Sequence, residues 1–194
     1  MTRDELRRQS RDARRALIPD VRRAAAVAAA HLLAATPLYQ DARRIAVYIA
    51  VDGELDPEPL VQNARAAGKE IYLPVLPPAT AGVMSFRPYA PGAALKPNRF
   101  QIPEPVAGDP LPPADLDIVL TPLVAFDLEG NRLGMGAGYY DKTFAFLKRV
   151  QRVHPALVGF AYECQLAPEV PAEVWDVPLS AVVTEQHFYA VAHD

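Results

Sequence analysis

A chain of 194 residues is long enough for one substantial core, and 51% hydrophobic against 22% charged residues is the make-up of a folded globular protein rather than a disordered one. The net charge of −3 offers no overall attraction to nucleic acid or to an anionic membrane surface, so an anionic ligand has to be held by a local basic site. The single cysteine, Cys164, rules out an intramolecular disulfide, argues against a cysteine-based zinc site and fits a reducing, cytoplasmic setting. No apolar run reaches membrane-spanning length, and the arginine-rich start carries Asp4, Glu5, Asp12 and Asp20, which acid-poor transit peptides lack.

In chain order, residues 4–17 contain neither Gly nor Pro and place Leu6, Ala13 and Leu17 near one side of a helix. Pro19 interrupts, and a second helix runs to about Ala35 with Val21, Ala24, Ala25, Ala28, Leu32 and Leu33 at helical spacing. Residues 44–51 (RIAVYIAV) are almost continuously apolar and β-rich, the signature of a strand covered on both faces. A helix over 57–67, stopped by Gly68, leads to a strand over 70–75. The proline-rich stretch 74–113 reads as irregular backbone lining a site, with one strand over 83–89. Strands are expected again at 116–121, 156–160 and 181–184, and a helix over 139–150 follows a glycine-rich turn.

Strands alternating with helices predict an α/β protein: one domain spanning 1–194, built on an open, mostly parallel sheet with helices on both faces in a Rossmann-like three-layer arrangement. Ligands of such sheets sit beyond the carboxyl ends of the strands. Glu54, the Pro74 region and the Gly134 turn all follow strands, and are expected to converge on one crevice.

The sharpest motif is NRLGMGAGYYD at 131–141. Gly134, Gly136 and Gly138 let the backbone approach a ligand closely, and a helix starting near Tyr139 would aim its free N–H groups and positive dipole end at the loop, which suits phosphate. Arg132 adds a planar cationic fork, and Asp141 a hard oxygen ligand for magnesium. The same glycines also serve a tight strand-to-helix connection, and residue types alone leave both readings open. The spacing is neither that of a P-loop nor that of the dinucleotide fingerprint.

The longer segment PLVAFDLEGNRLGMGAGYYD at 122–141 resembles the signature of the 5-formyltetrahydrofolate cyclo-ligase family. The likeness extends in order through the N-terminal basic helix, YIAVDGELD at 48–56, Leu73-Pro74, Ile102-Pro103-Glu104-Pro105 and residues 165–184. It implies that Arg132, Leu133, Gly134, Met135, Gly136, Ala137, Gly138, Tyr139 and Tyr140 wrap the phosphates of ATP, with Arg132 as the catalytic cation. It also implies that Asp141 and Asp176 bind Mg2+, that Arg3 and Arg7 contact ATP, and that Ile49, Glu54 and Tyr140 contact a reduced folate. Arg3 stands where Lys is commoner, Ala137 where Gly or Lys is common, Met135 where some members have Arg, and Ser180 where Asp is frequent. Arg11, Arg14 and Arg15 are read as a solvated charged face, Asp176 has the alternative of a turn aspartate before Pro178, and His31, His154, His187 and His193 show no ligand spacing.

The activity implied is ATP-dependent closure of 5-formyltetrahydrofolate to 5,10-methenyltetrahydrofolate, by a monomer or weak homo-oligomer with small-molecule partners only. A sugar-phosphate isomerase or a non-catalytic nucleotide-binding module on a similar scaffold are the alternatives.

Overall fold

The computed structural model describes residues 1–78, 82–148 and 154–192. Helix α1 (Arg3–Ala16) starts from a reciprocal cap in which Thr2 Oγ1 accepts from the Glu5 amide and Glu5 accepts from the Thr2 amide. Pro19, expected to interrupt, sits in the first turn of α2 (Pro19–Ala34), where its missing N–H costs nothing. Thr36 then caps a short α3 (Pro37–Asp41) that the sequence reading did not contain. Strand β1 (Arg44–Ala46), helix α4 (Glu58–Ala66) and strand β2 (Glu70–Val75) follow as expected, although regular pairing in β1 stops earlier than 51.

The proline-rich stretch holds more structure than expected. Besides β3 (Ser85–Pro88), it contains β4 (Leu95–Pro97) and β5 (Pro103–Pro105), paired antiparallel as a hairpin. Strand β6 (Ile118–Thr121) leads to a second unforeseen hairpin of β7 (Ala125–Phe126) and β8 (Arg132–Leu133). Helix α5 (Tyr139–Phe144) is short and gives way to a tighter turn over Ala145–Lys148, and the end of the expected helix at 149–150 lies outside the described residues. Strands β9 (Ala156–Phe160), β10 (Ala181–Val183) and β11 (Phe188–Ala190) complete the chain, the last unforeseen.

The main sheet has seven strands in the order β11-β10-β9-β6-β1-β2-β3. From β10 to β2 neighbours run parallel, and only the edge strands β3 and β11 are antiparallel. This is the α/β architecture that the alternation implied.

Successive side chains of the central strands point to opposite faces, and both faces are buried, which is why these strands read as unbroken apolar runs. On one face Ile45, Val47, Ile118, Leu120, Val158 and Val183 pack under Ala25, Ala29 and Leu33 of α2 and Leu60, Val61 and Ala64 of α4. On the other, Ala46, Val119, Leu157 and Val182 pack with Phe144 of α5, Phe126 and Leu179. The buried stripe of α2 is Ala25, Ala26, Ala29, Ala30 and Leu33; Val21 and Ala24, placed on the inner face by spacing, are exposed. A helix this rich in alanine offers several apolar stripes of similar quality, and the close approach that alanine permits selects among them.

Strand β1 connects through α4 to β2 on one side, while β6 lies against its other side. The carboxyl ends of β1 and β6 therefore flank a topological switch point, where the crossing connections diverge and leave a crevice. Among the described residues no helix is long and apolar enough to cross a membrane.

Candidate active site

A cavity of about 430 Å³ opens at that crevice. Its floor is the exits of three strands: Tyr48, Ile49 and Glu54 after β1, Leu73 and Pro74 at β2, and Pro122 and Leu123 after β6. The β4–β5 hairpin forms one wall through Asn98, Ile102 and Glu104. It is tied down where Glu104 Oε1 accepts from the Leu76 amide at 2.9 Å and from Asn98 Nδ2 at 2.7 Å. Its tip reaches the glycine loop, Arg99 bonding the Tyr139 hydroxyl and Phe100 lying edge-on to the Tyr139 ring with centroids 6.4 Å apart. The glycine loop itself, Arg3 and Arg7 of α1, and the turn at 173–176 make the rim.

The loop conformation explains its composition. Gly136 has φ +100° and Gly138, the residue before α5, has φ +67°, a region that side chains rarely enter. A Cβ at Gly134 or Gly136 would meet nothing within 4 Å, so both border open space. Because α5 has only six residues, the helix dipole counts for less than the sequence suggested, and cationic side chains carry more of the local field.

Those cations are held in place. Arg132, on β8 and nearly buried, donates from Nη2 to Asp141 Oδ1 at 2.6 Å and from Nη1 to the Val177 carbonyl. The Val177 amide returns a bond to the same Asp141 oxygen at 3.1 Å. Arg3 Nη1 donates to Asp176 Oδ2 and to the Pro171 carbonyl, both at 2.9 Å. Arg7 Nε donates to the Gly134 carbonyl at 3.0 Å, fastening α1 to the loop. Asp141 and Asp176, separate in sequence, thus share one corner of the cavity. Among the described residues no donor bonds Asp141 Oδ2 or Asp176 Oδ1, so each carboxylate keeps an oxygen of the hard type that magnesium prefers.

Across the cavity, Glu54 is partly buried, and burial pushes its carboxyl up to about 6. The Val51 amide, donating to Oε2 at 3.1 Å, and the charge of Arg14 offset only part of that. Burial likewise raises the Tyr140 hydroxyl, with the Glu54 charge adding to it, and the Tyr140 ring stacks on Phe144 at 6.3 Å.

Of the residues singled out in the sequence, Arg3, Arg7, Ile49, Glu54, Arg132, Gly134 to Asp141 and Asp176 all border this one cavity. Leu133 does not: its side chain is fully buried with Leu6, Ala125, Ala167 and Val170, and it joins the loop to α1 from behind.

The solvated face expected of Arg11, Arg14 and Arg15 holds for Arg15, whose side chain is 49% exposed, and is corrected for Arg14. Arg14 is completely buried, and all three guanidinium groups converge on Asp52, which has φ +52°. Arg14 also donates to the carbonyls of Asp52 and Leu123, at 3.1 Å each, so it bridges the exits of β1 and β6 beneath the cavity. Burial alone would raise the Asp52 carboxyl, but hydrogen bonds from Arg15, Arg11 and Arg14 outweigh it and hold it below its ordinary value. The pattern of spaced arginines is the same for a solvated face and for a buried clamp, so nothing in the sequence separated them. Trp175 on the rim also went unremarked, although it is the chain's single tryptophan and precedes Asp176.

Comparison with known proteins accounts for this arrangement. The model of the 5-formyltetrahydrofolate cyclo-ligase family matches residues 1–185. The 5-formyltetrahydrofolate cyclo-ligase of Escherichia coli K12 is 45% identical over 176 residues, covering 90% of this chain and 95% of that protein. That of Haemophilus influenzae is 45% identical over 142 residues, covering 72% and 74%. Among solved structures, the 5,10-methenyltetrahydrofolate synthetase of Aquifex aeolicus superposes with a TM-score of 0.83 at 33% identity, over 100% of this chain and 95% of that one. With the family match running from the helix that bears Arg3 and Arg7 through β10, the chain belongs to the 5-formyltetrahydrofolate cyclo-ligase family.

Proposed function

We propose that this protein uses ATP to convert 5-formyltetrahydrofolate into 5,10-methenyltetrahydrofolate, releasing ADP and phosphate. The observation that carries the reading is one cavity with two chemically distinct ends. A cationic, glycine-lined end suits phosphates, and a more apolar end with the partly buried carboxylate of Glu54 suits a ring bearing N–H groups. The named relatives support it and lend nothing to the isomerase or the non-catalytic binding module.

An N-formyl group is an amide, whose oxygen is a poor leaving group. Transfer of the γ-phosphoryl group to that oxygen makes it a phosphate ester on an iminium-like carbon. N10 then attacks that carbon, and as the C–O bond breaks to release phosphate the N10 proton passes to the departing phosphate or to water. No protein nucleophile is needed, so the chain contributes position and charge. Arg132 balances negative charge at the loop, with its fork fixed by Asp141 and the Val177 carbonyl. Arg7 holds the loop against α1 and, with Arg3, adds positive charge at its mouth. Glu54, mostly ionised at neutral pH despite its raised pKa, accepts hydrogen bonds from ring N–H groups, with Ile49 as an apolar contact. Asp141 and Asp176 would hold a magnesium ion through their remaining oxygens, where it supplies charge neutralisation for the phosphates. The 194 residues act as one domain in this reading, as a cytoplasmic monomer or weak homo-oligomer.

The test is to mix the protein with magnesium-ATP and 5-formyltetrahydrofolate and follow the methenyl product by absorbance. Product formed only when both are present is expected; its absence with folded protein overturns the proposal.

A further inference from the structure

The turn at 173–176 presents Val174 at 88% exposure and Trp175 at 67%, the largest apolar side chain of the chain left open beside the cavity. Its backbone is nevertheless fixed. The Asp176 amide donates to the Glu173 carbonyl at 3.0 Å, and the Glu173 amide donates back to Asp176 Oδ2 at 2.9 Å. Lys148 Nζ donates to the carbonyls of Val174 and Asp176, and Arg3 grips Asp176 and Pro171 from α1. A turn held by these bonds that carries an indole into solvent keeps a flat apolar face at a defined place, and among the described residues no ring or core cluster packs against it.

We infer that Trp175 is the platform on which the base of the bound nucleotide stacks. The inference rests on the ATP reading and deepens it by assigning the base end of that ligand. The bonds of the turn run to Arg3, to Lys148 and, through the adjacent Val177, to Arg132 and Asp141. Among the described residues none runs to the 51–54 loop, which borders the cavity at Glu54. A planar group lying over Trp175 is therefore attached to whatever binds at the cationic end. Stacking on one exposed ring discriminates poorly between bases, because every base has a π-face, so the platform gives affinity rather than strict selection.

Trp175 is the chain's only tryptophan, so the protein's indole emission reports this position alone. Magnesium-ATP and magnesium tripolyphosphate, which lacks the base and ribose, are titrated while calorimetry records binding of each. ATP is expected to change the emission strongly at saturation, and tripolyphosphate to change it little. Trp175→Ala is expected to weaken ATP by about tenfold while leaving tripolyphosphate and the KM for the folate within about twofold, and Trp175→Phe to recover most of the loss. An unchanged emission with ATP that calorimetry shows to be bound overturns the platform alone. So does equal weakening of ATP and tripolyphosphate, or a larger effect on the folate than on ATP. Failure of the wild-type protein to bind ATP at all overturns the ATP reading, and the platform with it.

Discussion

Arg3 and Arg7, near the start of α1, turn towards the cavity, where Arg3 meets Asp176 and Arg7 meets the Gly134 carbonyl. Arg11, Arg14 and Arg15, in the second half of the same helix, close round Asp52 below the cavity floor. The side chains of the first pair are each 24% exposed; in the second group Arg14 has no exposure at all, while Arg11 and Arg15 keep 33% and 49%. One helix therefore carries identical side chains in two electrostatic settings. In the first, donors remain within reach of an incoming anion. In the second, a single carboxylate already consumes them, and the result is a brace between the exits of β1 and β6. Partner and burial, not residue type, decide which of the two an arginine becomes.

The sharpest way to break this contrast is Arg14→Ala. It leaves the Asp52 carbonyl without its arginine donor, leaves the Leu123 carbonyl with Gln165 alone, and removes a buried partner from the Asp52 carboxylate. The expected loss is about 3–5 kcal/mol of folding stability by urea denaturation. A loss under about 1 kcal/mol would remove Arg14 from the structural class. Next is Arg132→Ala, expected to lower kcat by about 10²–10³-fold, the scale of a lost charge-stabilising donor. Near-normal turnover would show that its bonds to Asp141 and Val177 are all it does.

Glu54 sharpens the contrast from the other side, as a carboxylate near the brace that the brace does not neutralise. Its folded pKa of about 6 lies above the ordinary 4.5, so the stability it contributes is complete below the ordinary value and is lost as pH rises through 6. Glu54→Gln is therefore expected to be more stable than the wild type by about 2 kcal/mol at pH 7.5, with the difference vanishing near pH 4.5, while turnover falls. Melting curves at the two pH values check this, and a constant difference would mean that the carboxyl is not desolvated. The smallest effect is expected for Arg7→Ala: roughly a tenfold rise in KM for ATP, or about 1.4 kcal/mol, with stability changed by less than about 0.5 kcal/mol.

The central strands were legible in the sequence because burial on both faces writes them as continuous apolar runs, as in residues 70–75 and 156–160. The glycine loop was legible because Gly136 and Gly138 occupy backbone conformations that few other residues tolerate. The hairpins β4–β5 and β7–β8 were not, since strands of two or three residues containing Pro97, Pro103 and Pro105 show no alternation to read. At the site, residues within the signature were found together, but Arg14 and Asp52 act through partners distant along the chain, and such pairings leave no local trace.

The cap that opens α1 bears on how the protein should be handled. The Thr2 amide donates to the Glu5 carboxylate and the Glu5 amide to Thr2 Oγ1, and the next residue, Arg3, reaches Asp176 on the cavity rim. A purification tag fused before Thr2 would emerge beside the proposed nucleotide mouth and crowd the very cap that sets the helix. A tag appended to the chain's other end follows β11, an antiparallel edge strand whose neighbour in the sheet is β10 alone. Kinetic work on this chain is therefore best begun with the affinity handle at the C-terminus or with an N-terminal handle cleaved off.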